Sequence, residues 1–130
     1  MDEIDYSEID VSDIDIPGVD AEAGSALYGE EMDIYIPVLQ SFVDNIPAAV
    51  DKLRVVSEAA LKEYATAVHG LKGSCAGIGA EAVRAMAFDL ETKSKAGDLA
   101  SVLAQNAALI ERTEKLIGDI KAWLSGLRGS

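Results

Sequence analysis

The stretch Leu61-Lys62-Glu63-Tyr64-Ala65-Thr66-Ala67-Val68-His69-Gly70-Leu71-Lys72-Gly73-Ser74-Cys75-Ala76 sets both the class of fold and the place where chemistry can occur. At about 100° per residue, Leu61, Tyr64, Val68, Leu71, Cys75 and the following Ile78 fall on one broad arc of a helix. Lys62, Thr66, His69, Gly73 and Ala76 fall on the opposite arc. The pattern predicts a helix with one buried face, capped near Ser57 and ending near Ala76, with His69 turned to solvent. His69 is the only histidine. Ala65 and Gly73 stand one turn to either side of it and Lys72 lies three residues on, so the ring has an open patch and a nearby ammonium group. Two glycines in a helix interior each cost roughly 0.5 to 1 kcal/mol relative to alanine. Accepting Gly70 and Gly73 there points to a surface on which access matters more than local stability.

Working outward, the apolar residues recur at helical spacings on both sides. Leu39, Phe42, Val43, Ile46, Val50 and Leu53 make a buried stripe within residues 31–53. Pro37 and Pro47 each remove a backbone donor, so this segment is expected either to start near Ile36 and kink at Pro47 or to break in two. Gly77 and Gly79 end the histidine helix; they lack the Lys-Ser/Thr ending of a phosphate-binding loop and read as a turn. Residues 80–96 follow with Val83, Ala87, Leu90 and Ser94 inward. Gly97 then stops that helix and Asp98 caps a long last one with an inward stripe of Leu99, Val102, Leu103, Leu109, Ile110, Leu116, Ile117, Ile120, Trp123 and Leu124. Four amphipathic helices with short connections predict an all-α, antiparallel up-down-up-down four-helix bundle. A short extra N-terminal helix, residues 19–27 with Asp20 as its cap, is expected to lie over it as a lid.

Composition agrees with that class. The chain has 130 residues with one Trp, four Tyr and two Phe, and its apolar content is mostly small or branched aliphatic. A chain of this length buries roughly two thirds of its unfolded surface, enough for one core. Cys75 is the single cysteine, so no disulfide forms within the chain, and a reducing, cytoplasmic setting is expected. Its place on the apolar arc marks it as a small buried hydrophobe. With one His and one Cys, no N/S metal cluster can be assembled, and neither a signal peptide nor a membrane-spanning run is apparent.

The net charge of −12 is unevenly distributed. Residues 1–33 hold twelve acids and no Lys or Arg, while residues 34–130 hold eleven of each sign. Nucleic acid is therefore not an expected partner, because neither part offers a cationic footprint to displace counterions. The repeated Ile4-Asp5, Ile9-Asp10 and Ile14-Asp15 pairs match no helix or strand period. They read as an acidic linker or tail over residues 1–18, its isoleucines fastened loosely to a bundle over residues 19–130.

The order Val68-His69-Gly70-Leu71-Lys72-Gly73-Ser74-Cys75-Ala76-Gly77-Ile78-Gly79-Ala80, followed by Leu90-Glu91, resembles the histidine-containing phosphotransfer (HPt) domains of multistep two-component signalling. The likeness extends over roughly Ile16 to Leu124, including the Ile16-Pro17-Gly18-Val19-Asp20 entry. It implies that His69 accepts a phosphoryl group from a receiver-domain aspartate and passes it to another receiver, with Lys72 beside the phosphoryl oxygens and Gly73 leaving room for the partner. Lys95 is the candidate for a second cation near the phosphoryl group. Ala65, Ala76, Arg84, Phe88 and Glu91 are docking candidates; Glu91 falls where some relatives have an uncharged amide. Response-regulator receivers, and a hybrid histidine kinase, are the implied partners, with Mg²⁺ carried by the receiver and no cofactor or metal on this chain. Such a chain is a phosphocarrier rather than an enzyme, and a monomer is expected. A bundle serving only as an adaptor or kinase inhibitor, with the histidine unused, is the competing reading.

Overall fold

A computed structural model describes residues 5–129 and shows an all-helical chain. Five helices follow one another: α1 (Ala21–Ala26), α2 (Met32–Leu53), α3 (Leu61–Ala76), α4 (Glu81–Lys95) and α5 (Leu99–Gly129). Helices α2 to α5 form the four-helix bundle, with α2 against α3, α3 against α4, α4 against α5, and α5 closing the ring against α2. The core along its axis is aliphatic with a few aromatics, including fully buried Tyr35, Leu39, Leu53, Tyr64, Val68, Leu71, Leu109 and Ile120.

Several local expectations change once the helices pack. Both prolines lie inside one continuous α2, which starts at Met32 rather than near Ile36. Pro37 stands past the unpaired first-turn donors, so each of the two prolines gives up one backbone bond. Burial of Ile36, Leu39, Phe42, Val43, Ile46 and Val50 holds the helix together past Pro47. Helix α3 starts at Leu61, not at Ser57. The Ser57 hydroxyl instead accepts the Ala60 N–H at 3.1 Å, capping the turn that leads in. Asp20 and Asp98 cap as expected, accepting the N–H groups of Ala23 and Ser101 at 3.1 Å. Leu103, placed inward by periodicity, is 58% exposed, because Val102 and Asn106 fill that level of the bundle. Asn106 belongs there for a polar reason. It accepts the Tyr64 hydroxyl at 2.7 Å and donates to the Leu53 carbonyl at 2.7 Å, so three buried polar groups satisfy one another.

The N-terminal segment is less loose than its charge pattern implies. Ile14 and Ile16 are buried in the common core, Tyr6, Ile9 and Val11 pack partly against it, and Val11–Asp13 form a 3₁₀ turn. Ile4, from the first Ile-Asp pair, and Ser130 lie outside the described residues. Hydrophobic anchoring here outweighs like-charge repulsion, since the aspartates between the isoleucines stay in solvent.

The α3–α4 turn is fastened at three successive carbonyls. Tyr28 Oη donates to Gly77 O and Tyr35 Oη to Ile78 O, each at 2.8 Å, and Asp20 N donates to Gly79 O at 2.9 Å. Helix α1 comes so close that a Cβ on Gly24 would overlap the Ile78 carbonyl. Gly79 has φ +81° and a Cβ there would run into the Asp20 backbone, whereas Gly97 has φ +77° with open space around it. Gly79→Ala is therefore expected to lose about 3 kcal/mol of stability against about 1 kcal/mol for Gly97→Ala, read by urea denaturation. Equal losses would mean that the close approach of α1 contributes nothing.

Candidate functional site

The site is built where α3 crosses α4. Positions 65, 68 and 72 of α3 face α4, whose Val83, Ala87 and Glu91 follow one another at four-residue spacing on its inward arc. Glu91 is thus carried into the interface, and its side chain is only 4% exposed. Three groups converge on it. His69 Nδ1 lies 2.6 Å from Oε2, Lys95 Nζ donates to Oε2 at 2.7 Å, and Lys72 Nζ stands 2.7 Å from Oε1. The Lys72 contact is an ion pair whose direction falls outside hydrogen-bond geometry, so Oε1 receives no hydrogen bond. Lys72 is also held from its other side, with Nζ 5.3 Å from the centre of the Phe88 ring.

The electrostatic outcome is decided by these neighbours. Burial by itself would raise the Glu91 carboxyl, but Lys72, Lys95 and the His69 ring outweigh it and bring the group down to about 2. Glu91 is therefore a carboxylate through the whole neutral range. A carboxylate only accepts hydrogen bonds, so the bond to His69 requires the proton on Nδ1. The other ring nitrogen, Nε2, lies on the outer edge of a side chain that is 62% exposed, and no hydrogen bond among the described residues engages it. The cluster of one carboxylate and two ammonium groups keeps one positive charge beside that nitrogen.

On one side of the ring, a groove of about 500 Å³ runs between α2 and α3, lined by Tyr28, Val38, Ser41, Phe42, Asn45 and Gly73 among others. On the other side a hollow of about 380 Å³ is lined by Lys62, Ala65, Thr66, His69 and Lys95. Nothing lies within 4 Å of a Cβ built on Gly70 or Gly73, so these glycines are not required by the chain's own packing.

The structure keeps Lys72 and Gly73 beside His69, as helical spacing implied, and brings in Lys95, which only the family resemblance suggested; it leaves Ala76 exposed and Phe88 half-exposed. Two docking candidates need correction. Glu91 is buried under the lysines and the histidine, because it lies on the inward arc of α4 and its charge is satisfied there. Ala65 is also buried, at 8%, since it follows Leu61 by one turn and faces α4; it is the floor of the hollow. Arg84 is tied to Glu81 by two bonds of 2.7 Å at the start of α4. Sequence reasoning missed the α2 wall of the groove, for which no local signal exists. It also missed the role of Glu91, which its four-residue spacing from Ala87 could have shown. Cys75 is buried, and burial pushes its thiol up to about 12, which makes it inert as a nucleophile.

On this face of the four-helix bundle a buried carboxylate holds one exposed histidine and two lysines together. The Hpt domain family model matches residues 37–128, and the chain belongs to that family. No curated protein and no solved structure matches it. Membership gives the chain a histidine phosphotransfer role in two-component signalling, as a phosphocarrier rather than an enzyme, with receiver domains and histidine kinases as the family's partners. Among the described residues no helix is long and apolar enough to cross a membrane, and no group of three or more His, Cys, Asp and Glu could hold a metal ion.

The Glu91 cluster predicts an acid-dependent stability. The native carboxyl lies below its ordinary value of 4.5, so its contribution is complete above that pH and is lost as pH falls towards 2. Glu91→Gln lacks the ionisation. The stability gap between wild type and variant, up to about 3 kcal/mol at pH 6, is expected to close progressively between pH 4.5 and 2 in urea titrations. A gap independent of pH would show that the ion cluster does not stabilise the fold.

Proposed function

We propose that His69 is the phosphoacceptor, taking a phosphoryl group from a receiver-domain aspartate and handing it to another receiver. The observation that carries this reading is the division of labour within one ring: Nδ1 is bound to Glu91 at 2.6 Å, and Nε2 is left on the exposed edge. The Nε2 lone pair attacks the phosphorus of a phosphoaspartate, the P–O bond to the aspartate breaks, and its electron pair returns to the aspartate carboxylate. The ring then carries the phosphoryl group on Nε2 and keeps its proton on Nδ1.

Lys72 and Lys95 stand where the phosphoryl oxygens arrive, and the net positive charge of the cluster favours a group that brings negative charge. Mg²⁺ and the reacting aspartate carboxylate come with the receiver, so positioning is shared across the interface. The receiver docks over the groove between α2 and α3, where apolar Val38 and Phe42 alternate with Ser41 and Asn45 beside the small residues Gly70 and Gly73. Such a mixture of apolar and adaptable polar contacts suits an interface that must form and release.

Incubation with a phosphorylated receiver and Mg²⁺ tests the reading. Wild type is expected to take up label in acid-labile form and His69→Gln to take up none; absence of label on wild type, with every receiver of a panel, would leave only the adaptor reading. Lys72→Ala is expected to slow transfer about tenfold or more while the bundle stays folded, and unchanged kinetics would remove Lys72 from the mechanism. Gly73→Leu should fold at least as stably as wild type, since its side chain meets open space and leucine is the better helix former. It should nevertheless transfer poorly, because the leucine occupies the docking surface. Normal transfer by that variant would place the receiver elsewhere.

A further inference from the structure

Resting on the phosphocarrier reading, we infer that the end of α1 and the start of α2 form an acidic shoulder with an exposed apolar strip, which selects and orients a receiver carrying Lys or Arg beside its apolar contact surface. Leu27 and Ile34 supply the strip, at 63% and 44% exposure. Ile34 stands one helical turn before Val38, and Leu27 immediately precedes Tyr28; both Val38 and Tyr28 line the groove beside His69. The strip therefore continues the surface over which the receiver docks.

Charge decides which partner fits there. Glu30 and Glu31 lie between Leu27 and Ile34 in the chain and are both exposed. Among the described residues neither forms an ion pair, and no Lys or Arg occurs in residues 1–33. Glu30 is also the one non-glycine residue with a positive φ, +61°, among the described residues. Its N–H donates to the Ser25 carbonyl at 2.9 Å and closes the end of α1. Glycine fills such a position without strain, so a glutamate there has a cost that no internal contact of its carboxylate offsets. The cations lie on the other side of the ring, where Lys62 and Lys95 line the hollow between α3 and α4. A receiver whose anionic phosphoaspartate faces those lysines meets Glu30 and Glu31 with the edge that lies over α2. Basic residues on that edge pair with the glutamates, whereas an acidic edge sets like charges together.

Transfer from a panel of phosphorylated receivers with Mg²⁺, measured as kcat/KM at about 20 mM and about 500 mM salt, tests the shoulder. With the receiver that labels wild type fastest, the double variant Glu30→Gln/Glu31→Gln is expected to lose about tenfold at low salt and to approach wild type at high salt. Ile34→Ser is expected to lose transfer at both. Glu30→Gly relieves the backbone strain, so it should raise the urea midpoint while lowering low-salt transfer, a combination that damage to the fold cannot produce. Unchanged low-salt kcat/KM in both glutamate variants, with wild type labelled, would overturn the shoulder and leave the phosphocarrier reading standing. Calorimetric binding of the same receivers separates the two claims from the other direction. Salt-sensitive binding that the double variant weakens about tenfold, in a chain that no receiver labels, would sink the phosphocarrier reading and spare the shoulder. Neither binding nor label with any receiver of the panel would overturn both.

Discussion

A carboxylate buried between two helices has to be compensated, and in this protein the compensation of Glu91 organises the functional surface. An ion removed from water is costly unless charges and hydrogen bonds meet it. Here an imidazole N–H and two ammonium groups do so, and all three belong to residues that chemistry at His69 can use. The compensation of one buried carboxylate and the placement of the exposed ring depend on the same contacts. The lysines are held near the histidine because Glu91 needs them, and the histidine is held in one tautomer because a carboxylate accepts and never donates. An apolar side chain at the same place would pack α3 against α4 equally well and leave the ring free to turn.

Rigid placement of α3 is the second half of the design. The turn after it has three consecutive carbonyls occupied, by two tyrosine hydroxyls and a backbone N–H from the segment leading into α1. That turn sits at the end of the helix that carries His69. Tyr28, Tyr35 and the Asp20 N–H therefore fix the end of the helix that carries His69. The acidic N-terminal residues combine two roles that composition cannot separate: apolar side chains that anchor, and charged ones that stay in water.

Within this frame the glycines acquire different meanings. Gly79 is required by the fold, because its φ of +81° and the nearby Asp20 backbone leave no room for a side chain. Gly70 and Gly73 are not required by anything inside the chain, and their helix cost remains without an internal return. Both line the groove beside His69, and their lack of a side chain leaves that surface flat.

How much of this could be read without coordinates follows from which forces are local. Helical periodicity is a local property, so the bundle, the outward phase of His69, the caps at Asp20 and Asp98 and the burial of Cys75 were all legible from spacing. The site motif was legible because His69, Lys72 and Gly73 lie within about one turn of a single helix. What spacing could not supply is pairing between elements. Leu103 was misjudged because the level of the bundle it would fill is taken by Val102 and Asn106. Spacing left open whether α2 runs through Pro47 or breaks there, and it runs through because tertiary burial outweighs one lost backbone bond. Ala65 and Glu91 were misassigned to the docking surface because a flank residue is buried or exposed according to the neighbouring helix. The sequence alone therefore determined that one imidazole ring stands outside a four-helix bundle beside a cation. Only the tertiary structure decided which ring nitrogen is free, because that depends on a carboxylate twenty-two residues away that reaches the ring only when α4 packs against α3.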